Sequence, residues 1–420
     1  MKNDIIKNNK RKIRDLLLSI SATAILNIVI QFVLYPFLER NLGEERYGAA
    51  LSVLSVIAIF AGTIGTSANY SRMVTSGNRD IEYTNGDYNL IVLSLSLVCG
   101  IGGMFYLRYL GISSVLSAVL FLLLALLTAF RYYSDVEFRM KSDFLRYMLY
   151  YTAISAGYLL GTLVYKFTGE WMLALITGEA FGIIFAFFAS SIYRKNALRT
   201  SKSFSLVFKS MGFLMLSTLI ENLTLNADRL LLMVFSGGVA VSVYYTASLV
   251  GKIIAMLSVP INSIIISYLV KYEGKLTKKL WSVASIAAAA LGGIAFLGCY
   301  IVSPFILNIL YPDLYVMAKV YVPAAILGQI FYFISGILLV ILLRFCGEKK
   351  QFLFNLGYAV EFLAIVLIGT WQGGLDGFVY SSLIANAVRF LAVIIWGAFA
   401  AAKKPKASEQ ISEDTSERKN

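Results

Sequence analysis

The sequence predicts an all-α integral membrane protein of about twelve transmembrane helices in two halves of six. Three observations carry the class and the span count. Apolar runs of roughly 20 residues with almost no charge recur along all 420 residues, each long enough to cross a hydrocarbon core of ~30 Å. Strand-like alternation in ~10-residue segments is absent, so helices rather than a closed barrel must satisfy the backbone in lipid. Lysine and arginine are dense in every second inter-span segment and sparse in the others. Composition agrees, with 58% hydrophobic and 15% charged residues.

Each span follows from its run and its borders. Leu16–Leu38 follows a basic segment (Lys2, Lys7, Lys10, Arg11, Lys12, Arg14). Ala22-Thr23-Ala24 resembles a signal-peptide cleavage site, but the apolar run continues to Leu38, so an uncleaved first span is expected. Tyr47–Ser67 follows the short polar loop Glu39–Arg46, and Asn89–Leu107 and Leu110–Phe130 are parted only by Arg108 and Tyr109. Tyr147–Tyr165 and Trp171–Tyr193 complete the first six. The second six are Ser210–Leu232, Val241–Ile265, Trp281–Ser303, Met317–Leu343, Gln351–Thr370 and Gly377–Ala400, with a short amphipathic helix expected within Pro304–Val316.

Placing both termini in the cytoplasm puts the great majority of the 37 Lys and Arg on the cytoplasmic side. Adding or deleting one span would scramble that alternation, so count and orientation support each other. The net charge of +13 is therefore a topology signal facing anionic membrane lipid, and nucleic acid is not required. The domain reading is a basic N-terminus over 1–15, a first bundle over 16–193, a linker over 194–209, a second bundle over 210–400 and a disordered tail over 401–420. A shift of 194 residues overlays the first three spans of each half, placing Gly43 on Gly237, Thr23 on Ser217 and Asn27 on Glu221.

Histidine is absent, which excludes imidazole catalysis and histidine-metal sites. Cys99, Cys299 and Cys346 show no metal-binding or disulfide spacing. No catalytic residue, metal or cofactor is expected, and the short external loops leave no room for a catalytic domain.

The informative residues are polar ones inside apolar runs. Ser217, Glu221, Thr224 and Asp228 fall on one face of the seventh span, with Thr218, Asn222, Asn226 and Arg229 on a neighbouring face. Thr23, Asn27 and Gln31 mark the first span; Tyr244, Ser248 and Lys252 the eighth; Gln351, Asn355, Tyr358 and Glu361 the eleventh; Ser382, Asn386 and Arg389 the twelfth. The fifth carries Thr152, Ser155, Tyr158, Thr162 and Tyr165. Ionisable groups at mid-membrane cost ~2.5–3.5 kcal/mol on insertion scales and face a partner or a wet cavity. A polar cavity between two six-helix halves accounts for Glu179, Glu221, Glu361, Lys252 and Arg389 together, although any one of them could equally be a helix-locking ion pair. Tyr150, Tyr151, Tyr158 and Tyr244 are candidates for stacking on sugar.

Several stretches carry a family likeness. YPFLERNLGEERYGAALSVLSV (Tyr35–Val56) resembles the first loop and second span of Wzx-type polysaccharide flippases. NADRLLLMVFSGGVAVSVYYTASLV (Asn226–Val250), SPFILNILYPDLYVMAKVYVPAAILGQIF (Ser303–Phe331), RFCGEKKQFLFNLGYAVEF and WQGGLDGFVYSSLIANAVRF are similar to later elements of that family, in the same order. The family belongs to a superfamily with multidrug and peptidoglycan-precursor exporters. The resemblance implies a MATE-like fold of two six-helix bundles around a central cavity, with alternating access, and spans one, two, seven and eight lining the cavity. It implies a flippase, not an enzyme, in the bacterial cytoplasmic membrane. Its implied substrate is an undecaprenyl-pyrophosphate-linked oligosaccharide used for cell-surface polysaccharide, with polysaccharide polymerase machinery as a partner. Lys252, Arg389, Arg72, Arg229, Asn27, Gln31 and Asn386 are then candidate substrate ligands. Glu221, Asp228 and Glu361 are candidates for proton or sodium coupling. The deep acids match the deep cations in number, which leaves the substrate's charge open. A cation-coupled drug or metabolite antiporter of the same superfamily is the alternative, followed by a membrane glycan polymerase.

Overall fold

A computed structural model describes residues 2–77, 82–269, 272 and 274–402. Every regular element among them is helical, as a chain in lipid requires if each backbone group is to be satisfied within its own segment. In order these are α1 (Lys2–Ile28), a π-helical turn (Val29–Leu34), α2 (Tyr35–Leu42), α3 (Glu44–Ser76), α4 (Asn85–Tyr109), α5 (Val115–Ser134), α6 (Val136–Met140), α7 (Phe144–Thr168) and α8 (Trp171–Ala189). They continue with α9 (Phe204–Met256), α10 (Ser258–Leu269), α11 (Lys278–Leu310), α12 (Pro312–Ala318), α13 (Val322–Cys346) and α14 (Glu348–Ala402). The tail expected to be disordered lies, from residue 403 onward, outside the described residues.

Among the described residues, nine helices are long and apolar enough to cross a membrane. Two of these, α9 and α14, have 53 and 55 residues and are each two spans joined at a non-helical glycine, Gly237 and Gly374. The 25-residue α7 is less apolar because of its tyrosines, but at ~1.5 Å per residue it is long enough to span. With those halves and α7 counted, each of the twelve sequence runs falls on a helix, a half-helix or consecutive helical elements: α1, the π-helical turn and α2 for the first, and two helices for the eighth and tenth. The eighth run breaks at Leu257 because Pro260 opens a fresh helix, α10, near its start, where a missing N–H costs nothing. The short helix expected within Pro304–Val316 is divided between the end of α11 and α12.

Local chemistry sets the ends. Pro36 cannot donate to the helix before it, and the chain widens into the π-helical turn just upstream. Thr84 and Asp87 form a reciprocal capping box on α4, and Asp143 caps α7 by accepting from the Arg146 amide at 3.1 Å. Gly43 (φ 76°, ψ 166°) and Gly237 (φ 80°, ψ −179°) share one left-handed conformation, 194 residues apart, where a side chain would be strained. The overlay drawn from sequence thus coincides with a repeated backbone turn.

Contacts divide the chain into two compact units. One runs to Tyr245 and includes Leu307–Leu314; the other comprises Thr246–Ile306 and the chain from Tyr315 onward. In the first, α3 packs on α4 and α5, α5 on α8, and α7 on α8 and α1. In the second, α10 and α14 pack on α13, and Trp281 of α11 donates from Nε1 to the Ile394 carbonyl at 3.0 Å.

Candidate functional site

The two polar stripes of the seventh span have different fates. One is zipped to α3 within the first unit. Asn222 donates to Thr63 at 3.0 Å, Ser67 to Thr218 at 3.3 Å, Ser71 to Ser210 at 3.1 Å, and Arg229 to Ser55 at 3.3 Å. Positions 55, 63, 67 and 71 differ by multiples of four and so share a face of α3, which runs antiparallel to the stripe on α9. On the other stripe Ser217 and Glu221 are exposed, Thr224 is half-buried and donates to the Ile220 carbonyl at 2.8 Å, and Asp228 is buried. Replacing Asn222 with leucine strands the Thr63 hydroxyl and should cost about 1–3 kcal/mol. A T63V/N222L pair should recover most of that loss in a thermal-unfolding series in detergent, and failure to recover would mean the two side chains do not act as a pair.

At the glycine end of α3 the contacts become a latch. Glu45 accepts from the Gly238 amide through one carboxylate oxygen (3.1 Å) and from the Val239 amide through the other (3.0 Å). A carboxylate is thereby placed on the N-terminus of the helix that follows Gly237, where the backbone dipole favours negative charge. Ser242 donates to the Glu44 carbonyl at 2.6 Å, and Gly48 lies directly against the backbone of Gly238. Beside the latch, Tyr35, Tyr47, Tyr245 and Tyr311 form one aromatic cluster with ring centroids 5.7–6.5 Å apart. Tyr245 donates to Gln31, and the Arg229 guanidinium lies 5.2 Å from the Tyr245 ring centroid. Burial pushes the Tyr311 phenol well above its usual range, so it stays protonated and able to share its proton with Tyr47, 3.3 Å away. Among the candidates, Gln31 and Arg229 therefore meet at this cluster. Asn27 is one turn away along the first span and donates to the Thr23 carbonyl at 2.9 Å.

Glu179 pairs rather than lining open space. Arg131 Nε approaches its two oxygens at 2.8 and 3.0 Å, Tyr158 donates to it at 2.7 Å, and both charged residues are buried. Arg131 reads from sequence as a loop charge just beyond the fourth span; in the structure α5 runs through it to Ser134. Tyr150 donates to the Arg131 carbonyl at 3.0 Å and Tyr151 to Asp135 at 2.9 Å. Sugar stacking by Tyr150, Tyr151, Tyr158 or Tyr244 is corrected on this ground: all four are buried, and the first three already spend their hydroxyls inside the first unit. Arg72 is likewise enclosed. It donates to Tyr133 and, at 2.6 Å, to Asn85, with the rings of Tyr83, Tyr88 and Tyr133 each 5.8 Å away.

The second unit carries its own cluster. The Arg389 guanidinium lies 4.2 Å from the ring centroids of both Tyr332 and Tyr358, cation–π contacts worth about 2 kcal/mol or more when desolvated. Tyr358 donates to Asn386 at 2.9 Å, and Glu361 is the acid that Arg389 acts on electrostatically. Arg389, Asn386 and Glu361, read from sequence as separate candidates on two spans, thus belong to one cluster. Lys252 lies half-buried in α9 beyond Gly237. No group of three or more metal-ligating side chains occurs among the described residues.

Sequence reasoning missed Arg131, Glu45, the four-tyrosine cluster and the α3 stripe. The stripe had a legible signal in Ser55, Thr63, Ser67 and Ser71. The latch did not, because Glu44 and Glu45 read as an ordinary polar loop.

These features define a polytopic helical membrane protein with transmembrane helices broken at glycines and polar groups facing its interior. No family model matches the sequence, and no curated protein matches it. Solved structures do resemble it in fold. The lipid II flippase MurJ, in an inward closed conformation, superposes with a TM-score of 0.68 at 16% identity over 92% of this chain and 90% of that one. An inward-facing multidrug resistance MATE family transporter of the MOP superfamily gives 0.61 at 14% identity over 91% and 98%. The Vibrio cholerae MATE transporter VcmN, in its bent form, gives 0.59 at 14% identity over 93% and 96%. At these identities the likeness is one of fold.

Proposed function

We propose that the protein is a flippase that moves an undecaprenyl-pyrophosphate-linked oligosaccharide from the cytoplasmic to the outer leaflet of a bacterial cytoplasmic membrane. The observation that carries this reading is a line of polar residues on one face of α9 within an apolar span, Ser217, Glu221, Thr224 and Asp228, of which Ser217 and Glu221 are exposed. A sugar diphosphate cannot cross hydrocarbon unaided, because its hydroxyls and charges would lose their hydration. A polar helix face inside the bilayer offers substitute partners while the polyprenyl chain stays in lipid. The Wzx-type sequence motifs and the shared fold with a lipid II flippase support a lipid-linked substrate.

In this reading Lys252, Arg229 and Arg389 neutralise the diphosphate or acidic sugars, Asn27, Gln31 and Asn386 bond hydroxyls, and Arg72 holds the helices near the substrate path. Glu221, Asp228 and Glu361 couple transport to protons or sodium. Both termini and the 194–209 linker face the cytoplasm, and the two six-helix bundles alternate access between leaflets. Release of the Glu45 latch is one step of that cycle. A cation-coupled drug antiporter is the second reading, favoured by an exposed acid, Glu221, on that face and by the multidrug transporters that share the fold.

Deletion of the gene in its host, with lipid-linked oligosaccharides assayed by leaflet, separates the two. Complete units accumulating on the cytoplasmic side, rescued by the intact gene, are the expected result; normal surface glycan with altered sensitivity to cationic drugs supports the antiporter instead. Lys252→Ala and Glu221→Ala should each lower export about tenfold or more at unchanged membrane abundance, a loss of about 1.4 kcal/mol in transition-state stabilisation. Wild-type export by both would remove them from the transport path.

A further inference from the structure

The segment that links the two halves reads from sequence as a free basic loop, and the structure shows a strap instead. Its backbone is pinned to the first unit along most of its length. Asn85 Nδ2 donates to the carbonyls of Ser191 (3.0 Å) and Lys195 (2.6 Å), and Asn89 Nδ2 to those of Ile192 and Ala197 (both 3.0 Å). Thr84 donates to the Arg199 carbonyl. Asp87 accepts from the Ser201 amide at 2.7 Å, and Glu137 from the Ser191 amide at 2.7 Å. Asn196 holds a left-handed φ of 50° in the middle of the strap, a conformation that asparagine tolerates better than most residues. Asn85 also accepts from the buried Arg72, so the strap is anchored through to α3.

The pinning turns carbonyls inward and leaves charge outside. Lys195, Arg199 and Lys202 are exposed, and among the described residues none of their side chains makes a hydrogen bond or ion pair. No Asp or Glu occurs from Gly182 to Ile220. Of the acids near the strap's anchors, Asp87 and Glu137 are engaged with strap amides, Glu137 also with Lys141, and Asp135 with Arg139 at 2.8 Å, while Glu82, two residues before Thr84, is exposed. Exposed Leu198 and Leu206 stand in the same stretch. A loop that only reports topology needs basic residues but no fixed backbone. A fixed backbone carrying uncompensated cations is pre-organised for a compact, multiply charged anion, because the ordering cost is already met in the free protein.

We infer that the strap, through Lys195, Arg199 and Lys202, is the cytoplasmic docking site for the diphosphate headgroup of a polyprenyl-linked substrate. The inference rests on the reading of the chain as a transporter of such lipids. Arg199 supplies paired donors for a phosphate, the two lysines supply point charge, and Leu198 and Leu206 meet the first isoprene units at the lipid surface.

The test uses the full chain in phosphatidylcholine nanodiscs, with geranylgeranyl diphosphate as the probe. The K195Q/R199Q/K202Q variant should bind it at least about tenfold more weakly, since it removes three cationic partners of the diphosphate. K278Q/K349Q/K350Q, which removes equal charge from exposed positions in the first turns of α11 and α14, should bind like wild type. Wild-type affinity in the strap variant, equal weakening in the control variant, or displacement of the probe by an equal mole fraction of phosphatidylglycerol would each overturn the proposal. The deletion assay above reads the transport function independently. A host that exports normally with the strap variant, while the deletion strain accumulates substrate, would sink the strap and leave the flippase standing.

Discussion

Replacing Arg131 with methionine is expected to destabilise the protein by about 3–5 kcal/mol, because it leaves the Glu179 carboxylate buried without its cation. The arginine holds α5 to α8 inside the first unit, and Tyr158 and Thr128 complete the carboxylate's shell at 2.7 and 3.4 Å. A double substitution, R131M/E179L, removes the desolvated charges together and should return most of the stability, since a buried ion pair is often matched by apolar residues of similar volume. Thermal unfolding in one detergent resolves the two cases. Equal losses in the single and double variants would show that the pair is not what holds these helices. On the proposed function, export should follow stability here: the double variant, once folded, should export like wild type.

Gly48→Val is expected to have the largest functional effect of any single change outside the charged residues. A Cβ at position 48 would collide with the carbonyl of Gly238 and come within 2.8 Å of its Cα, and backbone cannot yield as a side-chain end can. Overpacking of this kind costs about 3 kcal/mol. It also forces α3 away from the helix after Gly237, so Glu45 loses both amides at once. Export should fall by well over tenfold even where the protein reaches the membrane in normal amount. Glu45→Ala removes the cap without the collision and should cost about 1–2 kcal/mol, with a smaller loss of export. A cysteine placed at Ser242 should become more reactive to a water-soluble maleimide in both variants; unchanged labelling would mean the latch holds without Glu45 and Gly48.

The sequence alone determined the class of the molecule, its spans and several of its polar positions. Those properties are one-dimensional: a run of about 20 apolar residues is a helix in lipid whatever its neighbours are. The alternation of basic loops and the 194-residue overlay are equally local, and Gly43 and Gly237 do share a backbone turn. The polar face of the seventh span was legible for the same reason, since helical period alone places Thr218, Asn222 and Arg229 together.

What only the tertiary structure decided is which polar groups are already spent. Helical period cannot say that Asn222 and Thr218 meet Thr63 and Ser67, that Glu179 meets Arg131, or that Arg389 lies against the rings of Tyr332 and Tyr358. Each pairing joins residues tens to well over a hundred positions apart, and intramembrane polar groups look alike in sequence whether they face water or one another. The linker makes the same point in reverse. Its charge was plain from RKNALRTSK, but its rigidity comes from Asn85, Asn89 and Asp87 more than a hundred residues earlier. Composition reports what a segment carries; only packing against distant carbonyls and amides fixes where that charge is held.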